Sequence, residues 1–520
     1  MPDDFSPRLR ESETRSSFDV DEDYSWRKRI GLVVGPFAFL AVSILPAPAG
    51  LSPAGQIVGA TAIWMAIWWV SEAVPIPVTA LLPLVLFPVT GAMDPQAAAT
   101  PYANRLIFLF LGGFLVAVAI ERWGLHRRIA LRTILLTGTA PRRLIGGFMI
   151  ATAFLSMWIS NTATALMMTP IGLAVVGQTA ELVERRGLSI RTGDREFRFG
   201  TTLMLSIAYA ASIGGVATLI GSPPNIIFAG YVSQVYGQEI TFAQWMRYGL
   251  PLSVVGLTIA WFYLTRVVLG PVVDSIPTDD EVIGERLSAL GPMRSGEKRV
   301  LGVFVFVAIA WMVRGSIIEP VLPMVDDAAI AIFGALLLFI IPARDDDGEF
   351  TFLLNWTTAV TIPWGIILLF GGGLSLATAV ETSGLGEWFG TLLFGLDGVD
   401  VAVLLLLIAL LAVFLTEVTS NTALTAMVVP VLAVLALALG IHPFLLMVVA
   451  TTVASFAFML PVATPPNAIV FASGYISAPQ MARIGFVLNL VGAALVVLFA
   501  LYWLPTAWGL DLDVVPTWFE

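Results

Sequence analysis

The chain has 520 residues, is 58% hydrophobic and only 12% charged, about half the charged share of a soluble protein, which excludes a water-soluble globular domain. Its net charge of -10 sits in tails and loops and describes wet surface, and the absence of cysteine excludes disulfides and thiolate chemistry. Many windows of about 20 apolar residues can each cross ~30 Å of hydrocarbon, so the fold class is an all-α polytopic membrane protein.

In chain order, residues 1–29 read as a polar cytoplasmic tail. Residues 30–53 hold the first helix and its connection. The PAPAG that follows this helix looks like a signal-peptidase site, but the long polar lead and the many spans behind it favour a retained helix. Further spans are expected near 54–73, 76–92, 106–124, 202–232, 248–267, 300–318, 326–342, 358–380, 444–475 and 485–505, about 11 transmembrane helices with the first. Two apolar stretches remain, 144–182 and 402–440, each with a polar cluster at its centre. They read as re-entrant hairpins. Ser-Asn-Thr at a turn can cap the second helix, and irregular backbone is tolerated at membrane depth only where protein or a cavity covers it.

Charge orients the map. If each hairpin returns to its own side, the basic residues collect in 1–29, 121–143, 183–200 and 266–299, joined by Arg344 and Arg483. Only Arg105, Arg247 and Arg314 fall outside, the asymmetry that the positive-inside rule demands. The second hairpin is flanked by Glu387, Asp397 and Asp400, and the C-terminal tail 506–520 carries Asp511, Asp513 and Glu520. Both are placed outside.

The two halves align. Leu109, Phe110, Gly112 and Gly113 match Leu369, Phe370, Gly372 and Gly373, and Glu121, Gly124 and Leu125 match Glu381, Gly384 and Leu385. Ser160-Asn161-Thr162 matches Ser420-Asn421-Thr422. Downstream, Gly221-Ser222-Pro223-Pro224-Asn225 matches Ala463-Thr464-Pro465-Pro466-Asn467, after an extra charged loop around 184–199 in the first half. Leu and Ala align by accident, whereas Gly-Gly, Glu, Ser-Asn-Thr and Pro-Pro-Asn in order do not. Repeat 1 spans 54–268 (hairpin 144–182, broken helix 202–232). Repeat 2 spans 300–505 (hairpin 402–440, broken helix 444–475), with a cytoplasmic linker at 269–299. Five crossings plus a hairpin per repeat make the copies inverted, the plan of a secondary transporter with its site where the halves meet.

Each Pro-Pro removes two backbone donors and breaks its helix, leaving bare carbonyls on one side and bare N–H groups on the other. Helix N-termini attract carboxylates; carbonyls, hydroxyls and Asn oxygens suit a hard cation. No Lys or Arg lies in the four clusters. Dipoles with mobile cations can therefore hold a dianion without a permanent buried charge. Taken singly, Ser-Asn-Thr is more often a cap and Pro-Pro-Asn a kink; the duplicated combination carries the functional reading. Glu417 reads as a structural carboxylate near the second tip, since its repeat mate is Met157. Glu121 and Glu381 read as helix-end residues, His126 and His442 receive no role, and Trp64, Trp68 and Trp69 read as interfacial anchors.

These paired SNT and [ST]PPN clusters resemble the divalent-anion:sodium symporter (DASS) family, over most of residues 54 to 505. The resemblance implies two sodium sites, one from Ser156, Ser160, Asn161 and the Gly221 backbone, the other from Thr416, Thr419, Asn421 and the Ala463 backbone. It implies a substrate site of Ser160, Asn161, Thr162, Ser420, Asn421, Thr422, Thr464 and Pro465, with Ser222 where many relatives have threonine. It also implies Na+ as coupling ion, a small dianionic substrate, a homodimer in the plasma membrane and an elevator mechanism. The function expected is sodium-coupled symport of C4 dicarboxylates such as succinate, malate or fumarate. The alternatives are sodium–sulfate symport and sodium-independent exchange. An intramembrane enzyme would need a reactive pair, and a pure channel suits inverted broken helices less well than alternating access.

Overall fold

In hydrocarbon an amide has no water to bond, so apolar runs close their hydrogen bonds internally as helices. The computed structural model describes residues 26–138, 140–185, 198–270, 281–345, 348–392, 400–512 and 514–519. Among them the only sheet is a short β-hairpin, Pro342–Arg344 antiparallel to Phe350–Phe352, with Ala343 opposite Thr351. Eight described helices are long and apolar enough to cross a membrane, and four shorter apolar helices accompany them. The chain is an all-α polytopic membrane protein. The tail before residue 26, most of the charged loop around 184–199, residues 271–280 of the linker, Asp397, Asp513 and Glu520 lie outside the described residues.

Both leftover apolar stretches fold as helix–turn–helix. Pro141–Ser156 turns into Asn161–Arg185, and Val401–Leu415 turns into Asn421–Ala438. Both double prolines begin a new helix. Arg198–Gly215 stops and Pro223–Tyr236 resumes; Pro443–Val453 stops and Pro465–Phe471 resumes. Proline costs nothing at that position, where the N–H has no intrahelical partner anyway. The second halves cross over. Pro465–Phe471 packs on Asn161–Arg185, and Pro223–Tyr236 packs on Asn421–Ala438. Each broken helix thus leans on the other repeat's hairpin, which draws the four clusters toward one region.

Several expectations need correction. The span expected at 76–92 is two pieces, Ile76–Thr79 and Leu82–Thr90, the second restarting with Pro83 in its first turn. The span at 358–380 starts late, at Trp364, behind Pro363 and a separate turn at Trp356–Ala359. Two helices beyond the expected spans, Leu125–Thr137 and Leu385–Leu392, are repeat mates. Each follows a glycine in the left-handed region, Gly124 (φ 68°) and Gly384 (φ 74°), that turns the chain out of the preceding span. Trp69 is not an anchor: it is fully buried and donates to the Ile76 carbonyl. Trp64 and Trp68 meet edge to face against the first helix, Trp26–Ile44, at Gly35. Within the segment expected as an external tail, Trp518 and Phe519 pack at a tilt against Tyr236, and Trp518 also against Phe444.

Two of the three basic residues that broke the charge rule share one partner. Arg314 donates two hydrogen bonds to Glu239 (2.6 and 3.1 Å), and Arg105 lies 3.5 Å from the same carboxylate. Paired in this way, they are not free loop charges that would orient the chain.

Candidate functional site

At the first hairpin tip Ser160 caps Asn161–Arg185: its Oγ accepts from Ala163 N at 3.2 Å. Asn161, the first residue of that helix, points its side chain back under the tip. The Ser156 hydroxyl lies 2.5 Å from Asn161 Oδ1 and 2.7 Å from the Ala211 carbonyl. The Asn161 oxygen is itself 3.1 Å from the Ala211 carbonyl and 3.2 Å from the Gly221 carbonyl. With Oδ1 inward, four oxygens converge here around the single proton of Ser156. The amide finds a partner for every atom only with its NH2 inward. With its NH2 inward Asn161 donates to the carbonyls. With Oδ1 inward it leaves a cluster of acceptors that a hard cation would balance.

The second tip repeats this arrangement. Thr416 Oγ1 is 2.5 Å from Asn421 Oδ1 and 3.0 Å from the Ala454 carbonyl, again one proton for two acceptors. Ser420 Oγ accepts from Ala423 N. Thr419 turns its hydroxyl proton back to the Leu415 carbonyl (2.8 Å), and Thr464 Oγ1 accepts from Asn467 N (3.3 Å) to cap its own helix. Both Ser-Asn-Thr triplets are half-buried and Pro465 is exposed, whereas Ser156, Thr416 and Ala463 are buried. The structure thus brings Ser156, Asn161 and Gly221 into contact, and likewise Thr416 and Asn421. Among the described hydrogen bonds none ties Thr419 or Ala463 to Asn421.

The two helix breaks are braced in the same way. Asn225 Nδ2 donates to the carbonyls of Gly215 and Thr218 (3.1 and 2.7 Å). Asn467 Nδ2 donates to those of Ala457 and Leu460 (3.1 and 3.0 Å). These side chains satisfy carbonyls that the interrupted helices leave bare. Behind each break a glycine lets a further helix approach. A Cβ on Gly249 would lie 2.5 Å from the Val216 carbonyl, and one on Gly485 would lie 2.1 Å from the Phe458 carbonyl. Glu417, expected to be structural, binds the second break: Oε1 accepts from Met459 N (2.9 Å) and Asn489 Nδ2 (2.6 Å), and Oε2 from Leu460 N (2.9 Å). The sequence reading missed Ala211, Ala454, Asn489 and Ser455. The first two contribute backbone carbonyls, which leave no side-chain signal. Ser455 Oγ lies 3.0 Å from Ser222 Oγ and joins the two breaks directly.

The family model described as the sodium:sulfate symporter transmembrane region matches residues 25–508. The chain belongs to that family. The sodium-dependent dicarboxylate transporter SdcS of Staphylococcus aureus strain MRSA252 is 43% identical over 492 residues, covering 94% of each chain. SdcS of strain NCTC 8325 is equally similar. Among solved structures, Neisseria gonorrhoeae MtrF (TM-score 0.54, 12% identity, 91% of this chain and 94% of that one) has a similar fold. So does the Alcanivorax borkumensis YdaH transporter (0.54, 11%, 92% and 96%). Members of the sodium:sulfate symporter family are transporters and not enzymes.

Proposed function

We propose that this protein is a sodium-coupled symporter of C4 dicarboxylates such as succinate, malate or fumarate. One observation carries the reading. At two repeat-related places a buried hydroxyl, an Asn side-chain amide and backbone carbonyls of a broken helix crowd within about 3 Å of one another. Such a cluster suits sodium as co-substrate, and the 43% identical relative named for sodium-dependent dicarboxylate transport supports it.

The amide of Asn161 supplies the coupling. With its Oδ1 committed to a cation, its NH2 must face the other way, toward the half-buried Ser-Asn-Thr surface, where it can donate to a carboxylate. Without the cation the favoured orientation reverses and offers the substrate an oxygen. Asn421 works in the same manner. The sites are Ser156, Ser160, Asn161 and Gly221 for one sodium, and Thr416, Thr419, Asn421 and Ala463 for the other. The substrate meets Ser160, Asn161, Thr162, Ser420, Asn421, Thr422, Thr464 and Pro465. Sodium supplies the positive charge and leaves with the substrate, so no permanent cation has to be buried.

We read the motion as an elevator. The hairpins, the broken helices and the helices Phe242–Val268 and Ala478–Trp508 are bonded to one another. Trp245 donates to the Val216 carbonyl, Ser253 to the Ile213 carbonyl, and Tyr209 to the Phe458 carbonyl. That favours their moving as one body against the remaining helices. Homodimer assembly, a cytoplasmic N-terminus and an external C-terminus complete the reading. Uptake of labelled succinate into proteoliposomes tests it. Accumulation should require an inward sodium gradient and be lost in Asn161→Ala and Asn421→Ala. Accumulation that ignores sodium would overturn the coupling, and stronger competition by sulfate than by malate would move the substrate to the inorganic anion.

A further inference from the structure

We propose that the Ser222–Ser455 hydrogen bond couples the two cation sites, so that filling one strengthens the other. This rests on the sodium-site reading above and adds a positioning role for two residues outside either site. Each serine directly follows a carbonyl that touches one site: Gly221 is in the first, and Ala454 accepts from Thr416 of the second. Gly221, whose carbonyl lies 3.2 Å from the Asn161 side-chain amide, precedes Ser222. Ala454, whose carbonyl accepts from Thr416 at 3.0 Å, precedes Ser455.

A carbonyl and the N–H that follows it form one rigid plane. A cation that draws the Gly221 carbonyl toward itself therefore turns the backbone of Ser222, and one drawing the Ala454 carbonyl turns that of Ser455. The two hydroxyls are 3.0 Å apart and almost wholly buried, at 2% and 1% exposure, so no water competes for the bond.

The repeat mate of Ser222 behaves differently, and the difference locates the coupling. Thr464 spends its hydroxyl on capping Pro465–Phe471, whereas Ser222 makes no cap bond to Pro223–Tyr236. Its hydroxyl is turned across to the other repeat. The path Asn161, Gly221–Ser222, Ser455–Ala454, Thr416, Asn421 is continuous from one site to the other.

Sodium titration of succinate uptake in proteoliposomes tests this. The unaltered protein should give a Hill coefficient above one. Ser222→Ala and Ser455→Ala should bring it toward one and raise the sodium half-saturation about fivefold or more, with uptake retained at saturating sodium. The double variant should be no worse than either single one, because both remove the same bond. Ser222→Thr keeps the hydroxyl and should restore cooperativity, while Ser222→Val should not. The Thr/Val comparison decides the matter even if an alanine variant fails to fold. Equal Hill coefficients for Thr and Val, or additive effects in the double variant, would overturn the coupling alone. Uptake indifferent to sodium in the unaltered protein would overturn the sodium reading with it.

Discussion

Gly215 lies so close to Asn161 that a Cβ at that position would sit 2.6 Å from the Asn161 side-chain oxygen and 2.8 Å from the Gly221 carbonyl. The end of Arg198–Gly215 thus forms a wall of the first acceptor cluster, and only a hydrogen fits there. Gly215→Ala should push Asn161 and Gly221 apart. Sodium-dependent uptake should be lost while the protein still reaches the membrane, since alanine is otherwise the better helix former by about 1 kcal/mol. Gly302→Ala is the control, because a Cβ there meets nothing within 4 Å. Equal sodium dependence in the two variants would show that the Gly215 wall has no part in the site.

Ser156 and Thr416 each place one hydroxyl against an Asn oxygen and a helix carbonyl. Ser156→Ala and Thr416→Val should each raise the sodium half-saturation about tenfold, the equivalent of roughly 1.4 kcal/mol. Neither hydroxyl is expected to touch the substrate, so dicarboxylate half-saturation at saturating sodium should stay put. A variant that weakened dicarboxylate binding while leaving the sodium titration alone would contradict the assignment of that hydroxyl.

Glu417 holds two break amides and the Asn489 side chain through accepting bonds only. Glutamine there would set an NH2 against N–H donors and leave at least one buried donor without a partner, at about 1–3 kcal/mol. Glu417→Gln should therefore lower the thermal midpoint in detergent. The shape of the pH dependence of uptake should survive, because the carboxylate braces backbone and carries no proton across. A flattened pH profile in that variant would instead make Glu417 a proton carrier.

How much of this was readable beforehand follows from the kind of atom involved. Asn161, Asn421 and the two Pro-Pro-Asn clusters stood out because polar or donor-lacking residues contradict the apolar runs around them. The carbonyls of Ala211 and Ala454 could not stand out, since every residue carries one. The Ser222–Ser455 bond joins positions 233 residues apart, a pairing that only the crossed packing of the broken helices creates. Leu125–Thr137 escaped because its arginines read as loop charge, although its mate Leu385–Leu392 shares the same glycine start. Trp69 differs from the interfacial reading because its side chain is turned inward, where it is fully buried and donates to the Ile76 carbonyl, which no local sequence pattern signals.

Arg128 illustrates a buried charge that sequence counts as surface. Its Nε and Nη2 meet both oxygens of Glu297 at 2.8 and 3.0 Å, and Nη1 donates to the Gly291 carbonyl at 2.8 Å. Both side chains are nearly closed off, at 5% and 4% exposure. The pair ties Leu125–Thr137 to the start of Ser295–Val313, next to the linker between the repeats. Arg128→Met alone would strand a buried carboxylate and should destabilise by about 3–5 kcal/mol. Arg128→Met with Glu297→Met removes both charges and should recover most of that loss, since a buried ion pair owes much of its gain to repaying its own desolvation. Thermal midpoints of the two single variants and the double variant check this. A double variant less stable than Arg128→Met would mean that the pair contributes more than mutual neutralisation.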